Sequence, residues 1–212
     1  MEKPKFTRHQ APDVKTKLLD AALRTIRTKG YGASTVDDLC RAAGVSKGSF
    51  FHYFTSKEEL ALAAAAHFSA GADALFAAAP YRSVGDARER VLRYIDRRSA
   101  MLRGEMPDFT CLLGTLVQET YATHPAIRKA CDEYIRHHAA EVAVDIAEAK
   151  EAYAPDAPWT AESLALFTQA VIQGAFILAK AHQDPDVAAD CLAHLRRYVE
   201  MRLPGPAPTQ SS

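Results

Sequence analysis

Residues 16–60 read TKLLDAALRTIRTKGYGASTVDDLCRAAGVSKGSFFHYFTSKEEL. Apolar residues recur three and four apart through the first third of this stretch, the period of an α-helix. Leu18, Leu19, Ala22, Leu23 and Ile26 form one face of a helix predicted over Val14–Lys29, with Gly30 as its C-cap. Thr35 and Asp38, spaced as a capping box, open a second helix. Its inward face is Val36, Leu39, Ala42 and Ala43, and Gly44 breaks it. Ser46 caps a third helix through Tyr53. Ser56 and Glu59 form a capping box for a fourth helix, predicted to reach Ala79 before Pro80 stops it.

The segment Thr35–Phe54 is therefore a helix–short turn–helix unit, with Val45 plugging its corner. On the third helix Phe50 and Phe54 lie four apart and share a face, turned toward Leu39, Val36 and Ile26. The opposite face carries Lys47, Gly48, Phe51 and His52. A small apolar core behind a basic, aromatic face suits a helix that lies in a DNA major groove, about 12 Å wide. Gly48 removes a side chain where backbone and nucleic acid would approach closely.

Charge supports this reading. The whole chain of 212 residues balances 26 Lys and Arg against 26 Asp and Glu. The first 60 residues hold 11 basic and 7 acidic side chains, a net of +4, and the remainder carries the opposite excess. A uniformly basic nucleic-acid coat and an acidic tail are both excluded; a single basic end is not. The longest near-unbroken apolar run, Leu60–Ala66, is short for a membrane span, and the N-terminus has no apolar core for a signal peptide. The four cysteines, Cys40, Cys111, Cys131 and Cys191, form no CxxC pair. They read as free thiols of a cytoplasmic protein, with no metal site and no cofactor. His137 and His138 point about 100° apart on a helix and make no metal motif. No glycine-rich phosphate loop, nucleophile elbow or HExxH pair suggests an enzyme. A helical protein-binding adaptor is the alternative function class.

Gly30-Tyr31, Thr35-Val36, the turn Ala42-Ala43-Gly44-Val45-Ser46, and Gly48-Ser49-Phe50-Phe51-His52-Tyr53-Phe54 followed by Ser56-Lys57-Glu58 fall in order and at one characteristic spacing. By these motifs, over about Thr16–Leu60, the chain resembles the TetR/AcrR family of transcriptional repressors. The resemblance implies an all-α fold of about nine helices. It also implies a dimer that binds a double-stranded palindromic operator and a chamber for a small-molecule effector. By the same resemblance Lys47, Ser49, Phe51 and His52 face the groove, Tyr53 and Lys57 hold phosphates, and Thr35 contacts the DNA backbone. Phe51 departs from the family, which usually has Tyr there. The helix N-termini at Thr35 and Ser46 offer free N–H groups to phosphate. Tyr53 as a core residue, His52 as a solvated side chain and Lys57 as an ordinary surface lysine are the competing readings.

The rest of the chain reads as further helices at about Val84–Leu102, Phe109–Ala122, Pro125–Tyr153, Thr160–His182 and Pro185–Arg202, with a turn at Gly104–Asp108. Four divisions follow: a flexible basic arm (1–12), a DNA-binding domain (13–60), a ligand and dimerisation domain (61–203) and a disordered tail (204–212). Phe109–Glu119 also resembles a stretch of the NemR-like subgroup, in which a cysteine at the start of this helix can act as a redox or electrophile trigger. Cys111 matches that position, while Thr110 and Thr115 depart from the subgroup's usual Gly and Asn. Burial as a small apolar side chain is the competing reading of Cys111. Other chamber candidates are Phe68, Tyr94, Met101, Leu116, Glu119, Tyr121, Tyr134, His137 and Phe176. The dimer candidates are Leu164, Phe167, Val171, Gly174 and Leu178 on the penultimate helix, and Cys191, Leu195 and Tyr198 on the last. The alternative assigns both stripes to the monomer core.

Overall fold

The computed structural model describes residues 13–205. The predicted basic arm lies outside these residues, and so does the tail beyond Gly205. Among the described residues there are ten α-helices and no strand. They are α1 (Val14–Lys29), α2 (Val36–Ala43), α3 (Lys47–Tyr53), α4 (Lys57–Ala77), α5 (Ala87–Ala100), α6 (Met106–Phe109), α7 (Leu112–Thr120), α8 (Pro125–Tyr153), α9 (Ala161–His182) and α10 (Asp186–Arg202), with a 3-10 turn at Pro80–Ser83.

The caps explain most boundaries. Asp13 accepts from Thr16 N ahead of α1. Thr35 and Asp38 close a reciprocal capping box on α2, and Gly44 ends that helix in the left-handed region at φ +66°. Ser46 accepts from Ser49 N on α3. Ser56 caps α4 through Glu59 N, but the box is only half made. The Glu59 carboxylate instead takes hydrogen bonds from the Thr55 N–H and hydroxyl, both at 2.6 Å.

Three boundaries differ from the sequence reading. The fifth helix begins at Ala87, because Asp86 caps it through Glu89 N and the 3-10 turn occupies the preceding loop. The turn predicted at 104–108 contains the short helix α6, started by Pro107 in its first turn and boxed by Glu105 and Asp108. The helix predicted over 109–122 is interrupted at Thr110 and Cys111, both extended, with ψ of 156° and 126°. These two changes make ten helices instead of nine.

Two apolar cores hold the chain. One gathers Leu18, Ala22, Ile26, Leu39, Cys40, Phe50, Phe54 and Leu60 with Leu112, Leu116, Ile127 and Cys131. On α2 it is Cys40 that is buried and Ala42 that is exposed, reversing the expected inward face at that position. The core crosses the expected boundary at residue 60: α7 and the start of α8 pack on the helix-turn-helix, so division 13–60 has no core of its own. Phe50 sits fully buried at its centre, where truncation to Ala would cost about 3–5 kcal/mol. The second core joins the end of α4 to α5, α8, α9 and α10. By length and composition α4 and α9 are apolar enough to cross a membrane, although neither contains a long unbroken apolar run. Alanine raises their average, and in this fold their apolar faces contribute to the two cores.

Candidate functional site

The outward face of α3 is built as the sequence suggests. Phe50 and Phe54 point inward and hold the helix, while Phe51 is 57% exposed, and His52 and Tyr53 also face outward. Tyr53 is therefore not a core residue; its ring stands edge-on to His52 at 4.8 Å. Lys47 projects from the first turn and pairs with Asp37 of α2 at 2.7 Å. That pair is exposed, so it holds the lysine only loosely. Ser49 Oγ lies 3.0 Å from Ser46 Oγ. A Cβ added at Gly48 would meet only Ser46 Oγ, at 3.7 Å. Among the described residues nothing crowds that position. Thr35 is occupied by its capping box but exposed.

Lys57 departs from its expected role. Its Nζ donates to the carbonyls of Tyr31 (2.9 Å) and Ser34 (3.0 Å) and stands 4.1 Å from the centre of the Tyr31 ring. Burial lowers its pKa from the usual lysine value. Two of its three N–H groups are spent inside the chain, so it ties α4 to the α1–α2 turn; it is not a free phosphate binder.

The same turn is gripped from its other side. Glu119, near the end of α7, takes hydrogen bonds from Tyr31 N (3.1 Å) and Gly32 N (2.8 Å). Gly30 stands beside this carboxylate at φ +88° and ψ 163°, a conformation essentially restricted to glycine. A Cβ there would lie 2.3 Å from Glu119 Oε1. Glu119 is thus a clamp on the helix-turn-helix and does not line the cavity between the two cores.

That cavity, about 560 Å³, lies between the two cores. Of the predicted residues it brings together Phe68, Met101, Cys111, Tyr134 and Phe176. Tyr94 is buried behind the wall, and Leu116 is fully buried in the first core. His137 faces solvent near Asp73, at 3.6 Å, and Tyr121 is exposed away from the cavity. Apolar type alone did not separate lining from filling. The residues missed include apolar ones, among them Phe76, Phe109 and Leu113, and polar ones, among them Arg27, Arg98, Thr110, His138, Gln169 and Gln173. Arg27 belongs to α1, the helix that precedes the helix-turn-helix. The pair Arg97-Arg98 divides, with Arg98 turned inward to reach Tyr94 Oη (3.1 Å) and His138 Nε2 (2.9 Å). Gln169 Nε2 donates to Tyr94 Oη at 3.0 Å. Burial, with Arg98 and His137 nearby, pushes the His138 pKa down to about 3, so the ring is neutral. Cys111 is half-buried in the cavity wall, whereas Cys131 is fully buried and pushed up to about 12, mainly by burial.

The dimer candidates also divide. Leu164 and Leu195 are buried in the monomer core. Phe167, Leu178 and Tyr198 are exposed, and Val171, Gly174 and Cys191 lie at the margin. A seven-residue stripe drifts about 20° per heptad around a straight helix, so a row starting inward at Leu164 emerges at Leu178 two heptads later. Leu166, Ile177 and Met201 complete the exposed apolar face, and Phe167 meets Tyr198 across the two helices at 4.9 Å.

Two family profiles match. "Bacterial regulatory proteins, tetR family" covers residues 18–64. "Transcriptional regulator LmrA/YxaF-like, C-terminal domain" covers residues 87–193, half of the chain. Similar curated proteins include the transcriptional regulator AcuR of Cereibacter sphaeroides, 41% identical over 66 residues, 29% of this chain and 30% of AcuR. The HTH-type regulator CymR of Pseudomonas putida is 44% identical over 54 residues, 26% of this chain and 27% of CymR. The chain thus spans under a third of the length of these relatives. The regulatory protein TetR from Rhodobacter sphaeroides superposes with a TM-score of 0.78 at 26% identity, covering 87% of this chain and 98% of that one. Reduced E. coli NemR gives 0.78 at 23% identity, covering 92% and 100%, a likeness of fold alone. The exposed recognition-helix face, the matched N-terminal profile and the C-terminal profile over half the chain place this protein in the TetR family of bacterial DNA-binding transcriptional regulators.

Proposed function

We propose that the protein is a cytoplasmic repressor that binds a palindromic operator as a homodimer and is released by a small molecule. The observation that carries the release is Arg27, which lines the cavity from the first helix of the DNA-binding segment. A ligand in the cavity therefore touches the DNA-reading unit directly. A second connection runs through α7. Its entry residues Thr110 and Cys111 line the cavity, and Glu119 near its other end clamps the Tyr31–Gly32 turn. Over nine residues such a helix spans about 14 Å and moves as a rod. The effector must bind the DNA-incompetent arrangement more tightly, or it shifts nothing.

At the DNA, Lys47, Ser49, Phe51, His52 and Tyr53 contact the groove and phosphates, with Thr35 and Ser46 at the helix ends and Gly48 allowing close approach. A single seven-residue helix reads few base pairs; two related by a two-fold axis read half-sites one helical turn apart, about 34–36 Å. The exposed face of Leu166, Phe167, Ile177, Leu178, Tyr198 and Met201 supports pairing of α9 and α10 into a four-helix interface. Cys111 is a second trigger, because its thiol lies half-buried in the cavity wall.

Fluorescence anisotropy on the DNA upstream of the gene, at two salt concentrations, tests this reading. Tight binding that weakens steeply with salt supports it. Release by an electrophile that disappears in Cys111→Ser assigns the thiol trigger; indifference to the electrophile rejects it. Absence of specific binding at both salts to any fragment of the surrounding DNA refutes the repressor reading.

A further inference from the structure

One guanidinium in the cavity wall, that of Arg27, forms no ion pair among the described residues. The Arg27 guanidinium donates to two carbonyls, Leu23 O (3.0 Å) and Thr110 O (3.1 Å), and lies 5.7 Å from the centre of the Phe68 ring. Among the described residues no carboxylate pairs with it. Asp108, which also lines the cavity, is held at 2.8 Å by Arg24, on the neighbouring part of α1. Asp73, the other lining acid, faces His137. Beside Arg27 lies a second unsatisfied group. Thr110 is 1% exposed, its Oγ1 has no hydrogen-bond partner, and the residue lines the same cavity. A buried hydroxyl without a partner is destabilising, and a half-desolvated guanidinium without an ion-pair partner adds to that. Both costs are relieved by one group: an acceptor bearing negative charge.

The remaining wall limits what carries that charge. Phe68, Phe76, Phe109, Leu113 and Phe176 make most of it apolar. Arg98, the other lining guanidinium, is already engaged by Tyr94 Oη and His138 Nε2 and stacks 4.6 Å from the centre of the Phe76 ring. Three N–H bonds of Arg27 and one hydroxyl match the two oxygens of a carboxylate; a dianionic phosphate would want more cations than this end supplies. The geometry points to an amphipathic monocarboxylate as the effector, its carboxylate at Arg27 and Thr110 and its apolar body along the phenylalanines. The inference rests on the reading of the cavity as the effector chamber. It also supplies a route to release, since a carboxylate seated on the free N–H bonds of Arg27 pulls on the guanidinium whose bond to the Thr110 carbonyl joins α1 to the entry of α7.

Calorimetric titration of the full chain with three probes sharing one body tests it: 4-phenylbutyrate, 4-phenylbutanamide and 4-phenylbutylamine. The carboxylate is expected to bind at least tenfold tighter than the amide, and the amine weakest. In Arg27→Met the carboxylate-to-amide ratio should fall below threefold. Thr110→Val should weaken the carboxylate about threefold or more and leave the amide unchanged, and Arg98→Met should keep the ratio. If Arg27→Met fails to fold, Arg27→Lys with Thr110→Val decides, the lysine retaining part of the preference. Equal binding of carboxylate and amide to the unaltered protein overturns the anion assignment and leaves the chamber standing. A preference that survives Arg27→Met but vanishes in Arg98→Met overturns the assigned end. No binding of any probe at millimolar concentration overturns both the assignment and the chamber.

Discussion

Replacing Gly30 by Ala tests whether the clamp on the α1–α2 turn is a working part of the fold. Two costs follow from the structure. The backbone at φ +88° and ψ 163° lies where only glycine is comfortable, a strain of about 1–3 kcal/mol for another residue. The new Cβ would also stand 2.3 Å from Glu119 Oε1, so the carboxylate must leave Tyr31 N and Gly32 N. Hydrogen bonds to a charged acceptor contribute about 1.5–3 kcal/mol when well buried; Glu119 is exposed, so about 1–2 kcal/mol for the pair is the fitting scale. Gly30→Ala should therefore cost about 2–5 kcal/mol and Glu119→Ala about 1–2 kcal/mol. The double variant should cost no more than Gly30→Ala alone, because the alanine has already displaced the carboxylate. The coupling is then about 1–2 kcal/mol, read as equilibrium urea unfolding of the four proteins. In a chain of this length the Gly30→Ala thermal midpoint should fall by roughly 4–20 °C, at about 2–4 °C per kcal/mol. Additivity of the single variants within about 0.5 kcal/mol would refute the reasoning, since it would mean that the methyl and the carboxylate never compete.

Lys47→Ala should lower the slope of log affinity against log salt by about 1 per protomer, whereas Lys57→Ala should leave the slope intact and lower the melting temperature. Equal slope changes in filter-binding titrations would restore Lys57 as a phosphate contact. His138 is held neutral in the fold, to about 3, while the unfolded chain takes up its proton near 6.5. Its contribution to stability is therefore complete above the unfolded value and is lost as pH falls below about 6.5. Between pH 7 and 5 this amounts to about 2 kcal/mol, and His138→Phe should flatten that part of the profile in chemical denaturation; an unchanged profile would show that the ring protonates in place. Phe167→Glu with Leu178→Glu should convert a dimer to a folded monomer in sedimentation, with operator affinity falling at least a hundredfold. A dimer that persists would move the interface elsewhere.

The helix-turn-helix was legible because its signals are local. Caps at Thr35 and Ser46, the left-handed Gly44 and the Phe50–Phe54 spacing each act within a few residues, and each is where the sequence puts it. The break at Thr110 and Cys111 was not, because an apolar run continues across it and Pro107 was read as part of a turn. The cavity was half legible. Aromatic and sulfur side chains could be nominated, yet lining and filling look alike in a periodicity, as Leu116 and Tyr94 demonstrate. Its polar members come from helices far apart in sequence, Arg27 from α1 and His138 from α8, and only tertiary packing brings them together. The clamp was hidden for the same reason: Glu119 and Tyr31 lie 88 residues apart.

The crossing of the first core past residue 60 bears on how such regulators can be recombined. Leu23 and Arg27 form one wall of the cavity, and they travel with the N-terminal segment. A chimera joined after α3 would import a foreign α1 and carry a chamber with a mismatched wall, together with a Glu119 facing a turn it did not evolve beside. Transplanting effector specificity onto another operator would therefore require moving Leu23, Arg27 and the Gly30–Gly32 turn along with everything after α3. The unit of exchange in this fold is a surface of contact, and it does not coincide with an interval of sequence.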